Sequence, residues 1–124
     1  MNDNLLEIKG VGFSYEKDKK FLENISFSVN EGDVLAIIGR NGSGKSTLVK
    51  IISRVINNYS GNVSYAGKDI KNYEHKEFSR NTSYLPQVFP AYVNELKVYD
   101  LLLLGRYAYK KSSQLSYSNE DISV

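Results

Sequence analysis

Gly39-Arg-Asn-Gly-Ser-Gly-Lys-Ser46, followed by Thr47, fits the phosphate-binding pattern G-x-x-x-x-G-K-[ST] without a gap. Glycines let the backbone wrap closely round an anion, so that successive N–H groups point inward at it. The pattern assigns Lys45 to the β- and γ-phosphates and gives the Ser46 hydroxyl a position on Mg²⁺. Its flanks agree. Val34-Leu-Ala-Ile-Ile38 is a continuous apolar run, as expected of a strand buried on both faces. Behind the loop, Leu48, Ile51, Ile52 and Val55 recur at helical spacing. Strand, glycine loop and helix place a helix N-terminus before a phosphate.

Upstream, Leu6, Ile8, Val11, Phe13 and Tyr15 alternate with polar residues or Gly, and so do Ile25, Phe27 and Val29. Two such runs separated by the charged stretch Glu16-Lys-Asp-Lys-Lys20 read as an antiparallel hairpin. Asn30-Glu-Gly-Asp33 is the turn that leads into the apolar run. Downstream, Val63-Ser-Tyr65 lies between glycine turns and reads as a short strand. Asn72 is placed to cap a short helix over Tyr73 to Phe78. Thr82-Ser-Tyr-Leu85 reads as a second buried strand, stopped by Pro86. Gln87 to Glu95 reads as a mobile loop. Val98 to Tyr107 follows as an apolar helix with Leu101, Leu102, Leu104 and Val98 as its core stripe, and Ser118 as the cap of another. These elements define an α/β fold: a P-loop NTPase with a mixed sheet and an antiparallel N-terminal part.

The bulk numbers exclude several classes. The chain has 124 residues and a net charge of +2, without the clustered basic face that a nucleic-acid partner requires. It contains no cysteine, so thiolate metal sites and a cysteine nucleophile are ruled out. No apolar run approaches the ~20 residues that span a bilayer. The acidic start lacks the build of a signal peptide, so the sequence reads as cytosolic. His75, in Glu74-His-Lys-Glu77, reads as a solvated helix residue, and no Ser-His-Asp set can be assembled around this lone histidine.

Phe13-Ser-Tyr15, Leu22-Glu-Asn-Ile-Ser-Phe-Ser-Val29, Glu31-Gly-Asp-Val34 and the phosphate loop together resemble the opening third of the ATP-binding subunits of ABC transporters. The resemblance implies that Tyr15 stacks on adenine, where a planar π-face over a purine is stabilising. It implies that Gly39, Arg40, Asn41, Gly42, Ser43, Gly44, Lys45, Ser46 and Thr47 hold the phosphates of ATP. Tyr84-Leu-Pro-Gln87 is similar to the family's glutamine loop, in which Gln87 serves Mg²⁺ or its water. Lys45 and Gln87 are thus the residues of this chain that the resemblance places in catalysis. Leu96-Lys-Val-Tyr-Asp-Leu-Leu-Leu-Leu-Gly-Arg-Tyr107 resembles a stretch found in importers of ferric siderophores, haem and cobalamin, with Ala108 where Pro is common.

The resemblance runs from about Leu5 to the end and covers only the first half of the family's domain, so residues 1–124 read as one partial nucleotide-binding domain. The L-S-G-G-Q signature, the Asp-Glu (Walker B) strand and the later switch histidine have no counterpart in this sequence. Without a general base and a closing donor set, the loop is expected to bind phosphate without turning ATP over. The apolar run at 34–38 is expected to present an edge that pairs with another chain. The intact family member implied is an ATPase, homodimeric, on the cytoplasmic face of membrane permease subunits, served by an extracytoplasmic binding protein. The alternative is a complete, non-hydrolytic nucleotide-binding or interaction module.

Overall fold

The computed structural model describes residues 4–16, 19–88 and 96–110. They form two compact units, divided between Tyr73 and Glu74. In the first unit, strand β1 (Asn4–Glu16) pairs antiparallel with β2 (Lys19–Asn30), as the alternation of the two runs requires. Leu6 faces Val29, Ile8 faces Phe27, Val11 faces Ile25 and Phe13 faces Leu22, so like residues share a face. On its other side β1 takes β3 (Ser60–Tyr65), with Ile8 opposite Val63, and β3 carries the two-residue β4 (Lys68–Asp69). The order is β2-β1-β3-β4. Every pair in it is antiparallel.

Turn chemistry fixes the ends of these strands. Asp33 accepts the Asn30 N–H at 2.8 Å and returns its own N–H to the Asn30 carbonyl at 3.2 Å. Ala66 and Gly67 both take left-handed backbone (φ 46° and 77°), the conformation of a two-residue hairpin turn. Where β1 shifts register between Lys9 and Gly12, β3 approaches so closely that a Cβ on Gly61 would lie 2.6 Å from the Lys9 carbonyl oxygen.

Helix α1 (Lys45–Ile52) buries Thr47, Leu48 and Ile51, which join Ile8, Val11, Leu22, Val63 and Ile70 as buried side chains of this unit among the described residues. It stops at Ser53, one turn short of the spacing in the sequence, and Val55 is exposed outside it. The stop is a tight one: Arg54 turns left-handed (φ 58°), and the N–H groups of Val55 and Ile56 close on the Lys50 carbonyl.

The second unit contains α2 (His75–Asn81) and α3 (Val98–Gly105). Arg80 Nε donates to the Ala108 carbonyl at 2.9 Å and Lys76 Nζ to that of Lys110 at 2.8 Å, so one face of α2 holds the 3-10 turn Tyr107–Tyr109. His75 is exposed at the first position of α2, as a solvated helix residue should be.

Several expectations are corrected. Residues 34–38 form no strand: Val34 is 97% and Ile38 92% exposed. A strand buried on both faces exists only with neighbours on both sides, and none of the described residues pairs with this run. The parallel part of the expected mixed sheet is therefore not formed among the described residues. Residues 82–85 are unpaired for the same reason, and Leu85 is 81% exposed. Asn72 ends the 3-10 turn Ile70–Asn72 instead of capping a helix; Glu74 precedes α2. Val98, Leu101, Leu102 and Leu104 are exposed along α3, a stripe with no cover among the described residues. Residues 89–95, within the expected loop, and Ser118 lie outside the described residues.

Two outcomes are expected. The bare run at 34–38 should drive association at micromolar concentration, and pairing Val34→Lys with Ile38→Lys should shift sedimentation velocity toward monomer. Gly61→Ala should lower the urea midpoint by the equivalent of about 1–3 kcal/mol, because an added Cβ meets backbone at a left-handed position.

Candidate functional site: a phosphate loop with an aromatic neighbour

Residues 39–44 form the loop expected of the octapeptide, and α1 begins at Lys45. Gly44 stands at the helix N-cap with φ 94°, a conformation that L side chains rarely adopt. A second constraint acts on it from outside the loop: a Cβ there would collide with Leu22 and lie 3.4 Å from Phe21 Cε1. The β2 strand therefore presses directly on the last glycine of the loop. Gly42 is also left-handed (φ 79°) but faces open space, and a Cβ on Gly39 would fall 2.7 Å from Ser43 Oγ.

The first i→i−4 bond of α1 runs from Leu48 N–H to the Gly44 carbonyl at 2.8 Å. The N–H groups of Lys45, Ser46 and Thr47 thus precede the helical ladder and are left for an anion. No acidic side chain stands in the first turn to compete for them. Lys45 Nζ folds back over the loop and donates to the carbonyls of Gly39 and Arg40, each at 2.7 Å. Arg40, Asn41, Ser43 and Ser46 are exposed around it, and Thr47 is buried. The donor set is that of a phosphate site: aimed amides, one ammonium and a free-standing hydroxyl at Ser46, a hard oxygen suited to Mg²⁺. Among the described residues no group of His, Cys, Asp or Glu could hold a metal by itself.

Tyr15 lies close to this loop. Its hydroxyl and Thr47 Oγ1 share a hydrogen bond of 2.8 Å, and its ring meets the rings of Phe13 and Phe21 edge-on at 4.7 and 5.1 Å. Most of the ring remains open to solvent. A cavity of about 530 Å³ opens beside it, walled by Phe13, Ser14, Glu23, Asn58 and Tyr59 among others. The phosphate loop contributes nothing to that wall, but Tyr15, bonded to Thr47, and Leu22, packed against Gly44, both line the cavity and reach the loop and its helix. Gln87 belongs to the second unit and is exposed in the bend at 87–88.

The sequence reading missed Leu22 and Phe21 as braces of Gly44, and the bond from Thr47 to Tyr15. Phe21 and Leu22 are adjacent apolar residues at the start of β2, and their apolar character does not name the partner they meet. Tyr59 was missed as well. Its hydroxyl is buried without a hydrogen-bond partner among the described residues, and burial, reinforced by the nearby Asp69 carboxylate and opposed by Arg54, pushes its pKa up to about 12.

The ABC transporter family model matches residues 22–122. The chain belongs to that family, and its fold is part of an ATP-binding cassette. It is 38% identical over 120 residues to an uncharacterized ABC transporter ATP-binding protein of Methanocaldococcus jannaschii, covering 97% of this chain and 45% of that one. A zinc import ATP-binding protein of Ehrlichia ruminantium is 39% identical over 82 residues, covering 66% of this chain and 34% of the relative. Among solved structures, a nucleotide-free ATP-binding cassette from an ABC transporter superposes with a TM-score of 0.72 at 34% identity, covering 89% of this chain and 43% of that one. The chain thus spans less than half the length of these relatives. No helix among the described residues is long and apolar enough to cross a membrane.

The raised pKa of Tyr59 sets an alkaline limit. An unfolded tyrosine releases its proton near pH 10 while the folded one keeps it to about 12. The folded state then holds more protons than the unfolded state, so stability present below pH 10 is lost as pH rises toward 12. Tyr59→Phe should flatten that alkaline loss in urea melts recorded between pH 9 and 12, without lowering stability at neutral pH.

Proposed function

We propose that the chain is the phosphate-binding and base-binding portion of an ABC importer ATPase. The observation that supports it most is the loop at 39–44 opening onto the bare N–H groups of α1, with Tyr15 bonded to Thr47 beside it. In this reading the amides of the loop and of Lys45, Ser46 and Thr47 take the phosphates of ATP, Lys45 neutralises the β- and γ-phosphates, and Tyr15 supports the base. Ser46 would supply an oxygen to Mg²⁺, and the family resemblance gives Gln87 the same part. Bound Mg²⁺ would draw charge from the terminal phosphates; this chain's part is to hold those phosphates and to exclude competing acids from the helix end.

The intact protein, residues 1–124 being one partial nucleotide-binding domain of it, hydrolyses ATP as a homodimer. It does so at the cytoplasmic face of membrane permease subunits, fed by an extracytoplasmic binding protein. The similarity to a zinc import ATP-binding protein supports an import role. A cargo of the iron-siderophore or cobalamin type rests on the stretch from Leu96 to Tyr107, with Arg40 and the sequence Ser118-Asn-Glu-Asp121 in agreement, and the zinc relative pulls against it.

Calorimetric titration of Mg-ATP tests the site. Lys45→Ala should weaken binding at least tenfold, since removing an ammonium from a phosphate removes a charge-assisted bond. Equal affinities for the two proteins would rule out phosphate binding by this loop.

A further inference from the structure

Thr47 makes a bond that holding phosphates does not require. Its side chain is 5% exposed, three residues into α1, and its Oγ1 reaches the hydroxyl of a tyrosine 32 positions earlier in the chain. That tyrosine is 64% exposed, and besides this bond it has two edge-on ring contacts, to Phe13 and Phe21. Ring contacts of this kind tolerate rotation and sliding, whereas a hydrogen bond of 2.8 Å sets both the distance and the direction of the phenol oxygen. Phe21 adds a second reference, because it also lies against Gly44. The Tyr15 ring is thereby registered to both ends of the N-cap turn of α1, with Gly44 on one side and Thr47 on the other.

We propose that Thr47 is a positioning residue: its hydroxyl holds the Tyr15 ring at a set distance from the phosphate loop, so that one ligand carrying both an aromatic base and a polyphosphate is preferred over polyphosphate alone. The proposal rests on reading Tyr15 as the platform for the base. A ring already fixed before binding need not be ordered by the ligand, and the affinity otherwise spent on ordering it is kept. Thr47 acts here through Tyr15. Its side chain is closed off from solvent, and its backbone N–H remains with the loop whatever the side chain is.

The test reads a ratio, the affinity for Mg-ATP divided by that for Mg-tripolyphosphate, in the full chain. Loss of one such bond should lower the ratio about three- to tenfold in Thr47→Val. Tyr15→Phe, which keeps the ring and removes the hydroxyl, should lower it equally, and the two together should lower it no further. Thr47→Ser, which keeps the hydroxyl, should retain the wild-type ratio. Tripolyphosphate binding reports that the loop is folded in each variant. A wild-type ratio in Thr47→Val overturns the proposal, and so does equal weakening of both ligands, which would place the hydroxyl on the phosphates. A fall in Thr47→Ser as large as in Thr47→Val would overturn it too, by assigning the effect to packing. Tyr15→Ala separates the two levels: a lowered ratio there with an unchanged one in Thr47→Val removes only the role of Thr47. An unchanged ratio in Tyr15→Ala removes the base platform itself and the proposal with it.

Discussion

The site depends on the contact between Gly44 and the β2 strand. A helix N-terminus attracts an anion only if its first N–H groups are bare and aimed at one point, and the residue before them decides the aim. At Gly44 the backbone turns left-handed, and Leu22 and Phe21 occupy the space where any side chain would go. Two restrictions therefore coincide at one residue. The dihedral alone would admit Asn at modest cost; the contact adds that any Cβ there must displace the Leu22 side chain. Glycine at this position thus serves the packing of the hairpin as much as the shape of the loop. The hairpin in turn is more than an N-terminal ornament, since its residues Leu22, Phe21 and Tyr15 meet the loop and helix at Gly44 and Thr47.

How much of this was legible in the sequence follows from how local each element is. The β1–β2 hairpin, the turn at 30–33, the strand around Val63 and the start of α1 were all readable. Each is specified by alternation or turn residues within about a dozen positions. The phosphate loop was readable because its glycines and Lys45 form one contiguous pattern. Residues 34–38 were read correctly as apolar, and both they and residues 82–85 were read as buried strands, which this structure does not form. Composition says what a segment would bury, and only a distant partner decides whether it does. The stripe along α3 is the helical form of the same limit: Leu101, Leu102 and Leu104 are apolar whatever stands opposite them.

Family and cargo separate along the same line. The site features shared with the family are the glycine loop and the helix end behind it, groups suited to phosphate, and phosphate is common to every ATP-binding cassette. Cargo never touches such a loop. In the stretch around Gly105, the Arg106 guanidinium lies 4.7 Å over the Tyr109 ring, a local contact within one turn. Similarity to a zinc import ATP-binding protein and to cassettes with no stated cargo is what this division of labour produces.

Lys45 shows how far the loop is organised without a ligand. A buried or half-buried ammonium with no partner would be expensive, and here two of its three donors are satisfied by the Gly39 and Arg40 carbonyls at 2.7 Å. The arrangement does more than store the charge. Both carbonyls belong to the first two residues of the loop, so the ammonium ties the start of the loop to the first residue of α1 and closes it on itself. The third donor stays available, and a phosphate oxygen could take it without either carbonyl being released. Had Lys45 been bound to a carboxylate instead, an incoming anion would have had to displace a full charge. Because its partners are neutral dipoles, the positive charge remains uncompensated, and the loop waits for an anion with its geometry already set.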